Sequence, residues 1–262
     1  MSWGRTIKIL IQQLGFNPRK TLNSLRSVPY YIRNYNSLKS DLQRTGQPFR
    51  IESFYPALED RFDTAGSTPL HYFFLDLHVA GLIHKNNPSH HVDIGSRLDG
   101  FVAHVASFRN IEVFDFRPLD VAIPNVTFTQ ADLTRPDFPF DEYCDSVSCL
   151  HAIEHFGLGR YGDPIDAEGH LKGFNNIYKL LKSGGTFYFA TPIGNQRIEF
   201  DAHRVFSINY LLSLIDRKYD IVSFSYIDDE NTYFPDHKLS HDDLETNLHC
   251  RYGCGIFELR KL

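Results

Sequence analysis

From residue 90 onward, short apolar runs alternate with amphipathic stretches, the pattern of strands and helices taking turns in an α/β protein with a parallel sheet. Strands are predicted at 91–94, 111–116, 126–129, 145–150 and 186–190, with two final ones at 219–226 and 255–260. Apolar residues at helical spacing predict helices over 100–108 and 165–181, the second ended by Ser183-Gly184-Gly185 as a glycine cap. A long polar segment rich in Asp and His separates the last two strands. Residues 1–50 read differently. They are rich in Asn, Gln, Ser and Tyr, and Pro18 and Pro29 cut them into pieces the length of short helices. The expected division is therefore a helical N-terminal extension over 1–50 and one α/β domain over 51–262.

Length agrees with that division, since 262 residues make one large domain plus an extension. With 42% hydrophobic and 23% charged residues, collagen-like and disordered chains are excluded. No apolar run approaches the roughly 18 residues of a membrane span. The stretch 7–14 is interrupted by Lys8, Gln12 and Gln13, so neither a span nor a secretory signal is expected. Cys144, Cys149, Cys250 and Cys254 form no C-x-x-C pair and no disulfide framework, which favours a reducing, cytoplasmic location. Charge changes the picture more. The net value of −5 hides nine basic residues against Asp41 alone in the first fifty, a balance of +8, with −13 in the remainder. The extension thus reads as a lid, a dimer arm, a contact to an anionic surface such as a membrane face, or a solvated helical add-on. No nucleic-acid partner is expected.

In a doubly wound sheet the ligand sits beyond the carboxyl ends of the strands, which directs attention to Asp93, Gly95 to Gly100, Asp115, Asp132 and His151. Gly95 and Gly100 hold the first and last places of a G-x-G-x-x-G loop, but Arg97 holds the middle one. There a dinucleotide's pyrophosphate needs close backbone approach, so the loop suits a cofactor without pyrophosphate. Asp93 is placed to meet a cationic amino group. Asp115 follows it by 22 residues, near the interval of about 20 at which a carboxylate takes ribose hydroxyls. Asp132 can accept from an exocyclic adenine amine, with Leu133 as an apolar wall.

In these features, residues 91–192 resemble a class I S-adenosylmethionine-dependent methyltransferase: Asp93-Ile94-Gly95, then Asp115, Asp132, Ser148-Cys149-Leu150-His151, and Lys182-Ser183-Gly184-Gly185 before a strand ending in Thr191-Pro192. The resemblance implies a Rossmann-like, mostly parallel seven-stranded sheet of order 3-2-1-4-5-7-6. It also implies S-adenosylmethionine as cofactor and S-adenosylhomocysteine as product. Asp93, Gly95, Ser96, Arg97, Gly100, Asp115, Phe116, Asp132, Leu133 and His151 form the cofactor set. Arg97 and Asp99 depart from the family's second and third glycines. The wording around 151–164, 93–101 and 202–206 is similar to an uncharacterised methyltransferase-like group, a domain-of-unknown-function family whose members tend to accompany surface polysaccharide biosynthesis. That likeness implies a sugar acceptor, nucleotide-linked or in a surface glycan, with contact to glycan-assembly machinery or a homodimer among the partners.

His151-x-x-Glu154-His155 would place three polar groups on one helical face. Such a face, completed by His203 or Asp163, can hold a divalent ion, although a metal is not favoured. Without one, the same residues suit transfer to a hydroxyl: His155 first and His203 second as general base, with Glu154 orienting one of them. The loop 157–162, with Arg160 and Tyr161, reads either as a cover that binds an acceptor phosphate or as a turn-rich linker. Cys250 and Cys254, taken with His241 and His249, lack zinc spacing. The alternative to an enzyme is a catalytically inactive S-adenosylmethionine-binding protein that recruits a glycan-assembly partner. A nicotinamide enzyme is disfavoured by Arg97.

Overall fold

The computed structural model describes residues 7, 11, 15, 17–45, 50–58, 60–62, 70–200 and 202–262. Contacts divide the chain into two compact units, Met1–Thr68 and Pro69–Leu262.

The first unit contains one long helix, α1 (Pro18–Thr45), rather than the short pieces expected from its prolines. Pro18 opens the first turn, where its missing N–H has no intrahelical partner in any case. Asn17 caps that turn by accepting from the Lys20 amide at 3.2 Å. Pro29 lies inside the helix, where it deletes one backbone hydrogen bond but leaves those of the flanking turns. Next to it, Tyr30 is covered by the Arg61 guanidinium at 4.0 Å.

The second unit is a three-layer α/β structure. Its strands are β1 (His91–Ile94), β2 (Ile111–Asp115), β3 (Val126–Gln130), β4 (Cys144–Leu150), β5 (Leu181–Ile193), β6 (Arg197–Glu199), β7 (His203–Val205), β8 (Tyr219–Ile227), β9 (Tyr233–Phe234) and β10 (Gly253–Lys261). The main sheet has the order β3-β2-β1-β4-β5-β10-β8-β9, and β6-β7 form a separate hairpin. Strands β1 to β5 pair in parallel, whereas β10 runs antiparallel to both its neighbours. With β8 and β10 as sixth and seventh strands, this is the predicted 3-2-1-4-5-7-6 order. The two-residue β9 adds an eighth strand at the edge.

Helix α2 (Leu70–Asn86) was not legible in the sequence. Leu75, Val79 and Ile83 make its buried stripe, but Phe73 and Leu77 lie exposed on other sides and blur the period. The predicted helix 100–108 is an irregular turn, Leu98–Val102, leading into the single-turn α3 (Ala103–Ala106). The predicted 165–181 helix is the shorter α4 (Gly169–Leu180), and it passes directly into β5 without a glycine cap. Gly184, at φ 72°, instead serves a bulge in which the β4 register jumps from the pair Cys144 with Leu181 to the pair Ser146 with Thr186. Helices α5 (Ile208–Ile215) and α6 (His241–Thr246) complete the set.

Alternation along the strands fills both faces of the sheet. Val92, Val147, Phe187, Phe189 and Phe257 face α4 and α5, and Tyr188, Ala190 and Ile256 face α2 and α3. Phe174 of α4 is fully buried among the rings of Phe187, Phe189 and Tyr219, at centroid distances of 5.7–5.9 Å. Phe174→Ala is expected to lower the unfolding free energy by about 3–5 kcal/mol, measured by urea denaturation. A loss below about 1 kcal/mol would contradict this packing.

Candidate active site

The carboxyl ends of β1 to β4 open into one cleft. Gly95, Asp115, Phe116, Asp132, Leu133, His151 and His155 stand in its wall, joined by Arg117, Tyr161 and Asp163. The parallel strands explain the convergence, because Gly95, Asp115 to Arg117, Asp132, Leu133 and His151 stand at the ends of β1 to β4 or within three residues of them, and the chain leaving β4 carries on through His155 to Tyr161 and Asp163.

Asp93 is not in the wall. It lies fully buried beneath the first turn, accepting from the Ser96 amide at 3.0 Å, Ser96 Oγ at 2.8 Å and Ser148 Oγ at 2.6 Å. Burial pushes its carboxyl up to about 6, over the opposing effect of those donors. Gly95 turns the chain over it at φ 69°, and a Cβ there would stand 3.2 Å from Ala152 Cβ. Gly100 answers a different need: a Cβ on it would meet Asp76 Oδ2 of α2 at 2.5 Å. Ser96 and Arg97 line a second recess, on the far side of the Asp115–Arg117 pair from the main cleft. Arg97 turns outward to Asp99, at 2.8 Å.

At the next two exits, carboxylates face the cleft. Both Asp115 oxygens are held by the Arg117 guanidinium, at 3.1 and 2.8 Å. Asp132 accepts from the Thr134 amide and hydroxyl through Oδ1 alone. Arg117 also covers the Tyr161 ring at 4.6 Å, and Arg160 lies over the same ring at 5.2 Å. Asp163 organises this loop by accepting the amides of Gly157, Gly159 and Tyr161. Two guanidinium groups therefore flank the cleft mouth.

The His151–His155 segment is not the single helical face expected from its spacing. His151 has φ 54°, and only one 3-10 turn, Ile153–His155, follows it. The bend nevertheless gathers the predicted groups. His151 Nδ1 is 2.9 Å from Glu154 Oε1, and His155 Nε2 is 4.0 Å from the same oxygen. His155 and His203 approach at a ring separation of 6.3 Å. Of the two, only His155 lines the cleft. Burial works against charge on Glu154, yet the His151 hydrogen bond holds its carboxyl below the ordinary value. Burial likewise holds His155 and His203 below the ordinary histidine value.

Sequence reasoning missed Arg117, Tyr252 and the α2 residues His71 and Asp76, and it grouped Cys254 with the wrong histidines. His71 and Tyr252 stack at 5.7 Å, and Tyr252 lies 4.9 Å from His203, so a buried ring cluster backs the cleft wall. These residues come from distant segments, and no local spacing announces them. Arg117, two residues after an acidic strand end, was the one signal available.

A family model described as "Caenorhabditis protein of unknown function, DUF268" matches residues 125–253. No curated protein matches the chain. Among solved structures, the chain is similar to the Burkholderia thailandensis 1,6-didemethyltoxoflavin-N1-methyltransferase with bound 1,6-didemethyltoxoflavin and S-adenosylhomocysteine. The TM-score is 0.51 at 12% identity, covering 72% of this chain and 79% of that one. Similarity extends to the cyclase SpnF, with TM-score 0.49, 15% identity and coverage of 70% and 80%. N-methyltransferase NodS from Bradyrhizobium japonicum WM9, in complex with S-adenosylhomocysteine, follows with TM-score 0.46, 12% identity and coverage of 71% and 87%. At these identities the likeness is one of fold: the Rossmann-like fold of class I S-adenosylmethionine-dependent methyltransferases.

The residues present fit such a cofactor. Gly95 leaves room beside Ala152, Asp115 offers a bidentate acceptor at the second strand, and Phe116 and Leu133 supply apolar walls beside Asp132. Arg117 must leave Asp115 for a ribose diol to bind. Its side chain is half exposed, so releasing the pair costs about 0.2–1 kcal/mol. Asp115→Ala is expected to weaken S-adenosylhomocysteine binding by about 1.5–3 kcal/mol in calorimetry, whereas Arg117→Ala leaves it equal or tighter. Unchanged affinity in Asp115→Ala would remove the ribose assignment.

Proposed function

We propose that the protein is an S-adenosylmethionine-dependent O-methyltransferase whose acceptor is a sugar hydroxyl, in a nucleotide-linked or surface-glycan sugar. The observation that carries the reading is the state of His155. Its Nδ1 lies 2.7 Å from the Ala202 carbonyl oxygen, which can only accept, so Nδ1 bears the proton and Nε2 the lone pair. Burial keeps the ring neutral at pH 7. A neutral imidazole in the cleft wall is the base a hydroxyl acceptor needs, since the alcohol proton must leave as its oxygen attacks.

S-adenosylmethionine, when bound, supplies a methyl carbon made electrophilic by the sulfonium. Everything else is done by groups of this protein. Gly95, Asp115, Phe116, Asp132 and Leu133 hold the donor, and His155 Nε2 takes the acceptor proton. The buried Glu154 carboxylate, 4.0 Å from that nitrogen, offsets the positive charge that results. Arg117 and Arg160 at the mouth suit an anionic acceptor such as a sugar carrying phosphate. Positioning donor and acceptor together supplies about 7–11 kcal/mol of the barrier reduction. Helix α1 supports a peripheral partner. It is basic and carries exposed Leu22, Leu25, Ile32 and Leu38, which suits an anionic membrane face or glycan-assembly machinery.

His155→Ala is expected to lower turnover by about 100-fold to 10,000-fold while S-adenosylhomocysteine affinity is retained. Because the pKa of His155 is lowered, the base is lost only as pH falls through a value below the ordinary 6.5. The acid limb of kcat/KM therefore lies below that value in the parent protein and disappears in the variant. A screen of nucleotide sugars with labelled methyl donor supplies the acceptor. Donor binding without turnover on any hydroxyl acceptor would move the reading to a binding protein.

A further inference from the structure

We propose that His71, His151 and Cys254 form a binding site for one zinc-class divalent ion. The three side chains are buried, and their donor atoms lie within 4.8 Å of one another. They come from three elements: α2, the exit of β4 and the start of β10. Such a set is invisible to spacing. The sequence had paired Cys254 with Cys250, His241 and His249, but both of those histidines are largely exposed.

An independent observation aims the cluster at a ligand. His151 Nε2, on a side chain only 4% exposed, makes no well-formed hydrogen bond and faces only the Cys254 thiol. A buried polar nitrogen left this way costs about 1–3 kcal/mol, and a metal ion is the partner that two further donors beside it provide for. The other nitrogen, Nδ1, is fixed by the Glu154 carboxylate at 2.9 Å. That carboxylate–histidine arrangement orients an imidazole and raises its basicity toward a metal. His71 is likewise tied to the backbone of Asp228.

Donor chemistry selects the class of ion. Two imidazoles and a thiolate suit zinc and cobalt, and they exclude the oxygen-seeking magnesium and calcium. On binding, the Cys254 thiol and the His151 imidazolium, at Nε2, each lose a proton to solvent and no electron moves. The thiolate and the Glu154 carboxylate together carry two negative charges, which match the ion's two positive ones and leave the buried group neutral. Tetrahedral zinc has ligand-to-ligand edges of about 3.3–3.7 Å, so the donors close by about an ångström. Three protein ligands leave one position open, and His151, shared with the cleft wall, links that position to the cleft.

The site stands apart from the methyl-transfer reading, and cobalt(II) titration of the full, chelator-stripped chain tests it without donor or acceptor. The expected result is one equivalent bound, with a thiolate-to-cobalt charge-transfer band in the near ultraviolet that zinc abolishes. Cys254→Ser loses that band, His71→Ala weakens binding at least about tenfold, and Cys250→Ser keeps both. Should Cys254→Ser fail to fold, the parent stoichiometry and His71→Ala decide the question. Absence of the band in the parent chain, or its survival in a folded Cys254→Ser protein, overturns the site. Cobalt binding without S-adenosylhomocysteine binding overturns only the methyl-transfer reading, and the converse overturns only this one.

Discussion

Asp93 is a carboxylate sealed from solvent in the middle of a parallel sheet, and it must be hydrogen-bonded there or the strands around it could not form. Its donors are Ser96 in the turn above it and Ser148 on the neighbouring strand β4, and Ser148 in turn meets His91 Nε2 at 3.1 Å. His91 closes the chain through Nδ1 to Ser146 at 2.8 Å. This polar line crosses from β1 to β4 inside an otherwise apolar layer. It locks the first turn in the form that Gly95 permits, and so sets where the cleft floor lies. Asp93, which sequence reasoning had placed in contact with the cofactor, thus lies beneath the first turn and outside the cleft wall.

From that anchored turn the cleft follows by geometry. Parallel strands deliver Asp115, Asp132 and His151 to one edge of the sheet, each on a different connection. Legibility followed from this regularity. The strands β1 to β5 and the order of their exits could be read from apolar runs and acidic punctuation, because both are local. What stayed hidden was what depends on contacts between distant segments: the α2 helix with His71 and Asp76, and the β4–β5 bulge at Gly184. Helix α1 failed for the opposite reason. Pro29 is a strong local signal, and the helix continued through it nonetheless.

Behind the cleft, charge is handled differently from the mouth. Arg117 and Arg160 meet solvent and cost little to hold, whereas Glu154, His151, His155, His203 and His71 are packed together with few hydrogen bonds among them. Neither Glu154 Oε2, His151 Nε2 nor His203 Nε2 makes a well-formed hydrogen bond, although the Cys254 thiol stands by His151 and Glu199 Oε2 lies 3.9 Å from His203 Nε2. Buried polar atoms left open in one place mark a region arranged for something other than stability. The exposed edge thus carries the guanidinium groups, and the buried nest carries the histidines and the carboxylate.

Every functional role proposed for the cleft depends on S-adenosylmethionine binding at the edge formed by β1 to β4. Hydrogen–deuterium exchange of the full chain with and without S-adenosylhomocysteine reads that edge directly. Slowed exchange at residues 94–100, 115–117, 131–134 and 151–156, with α1 and β8 unchanged, is the predicted result. No slowing there at millimolar ligand, or slowing confined to other segments, would contradict it.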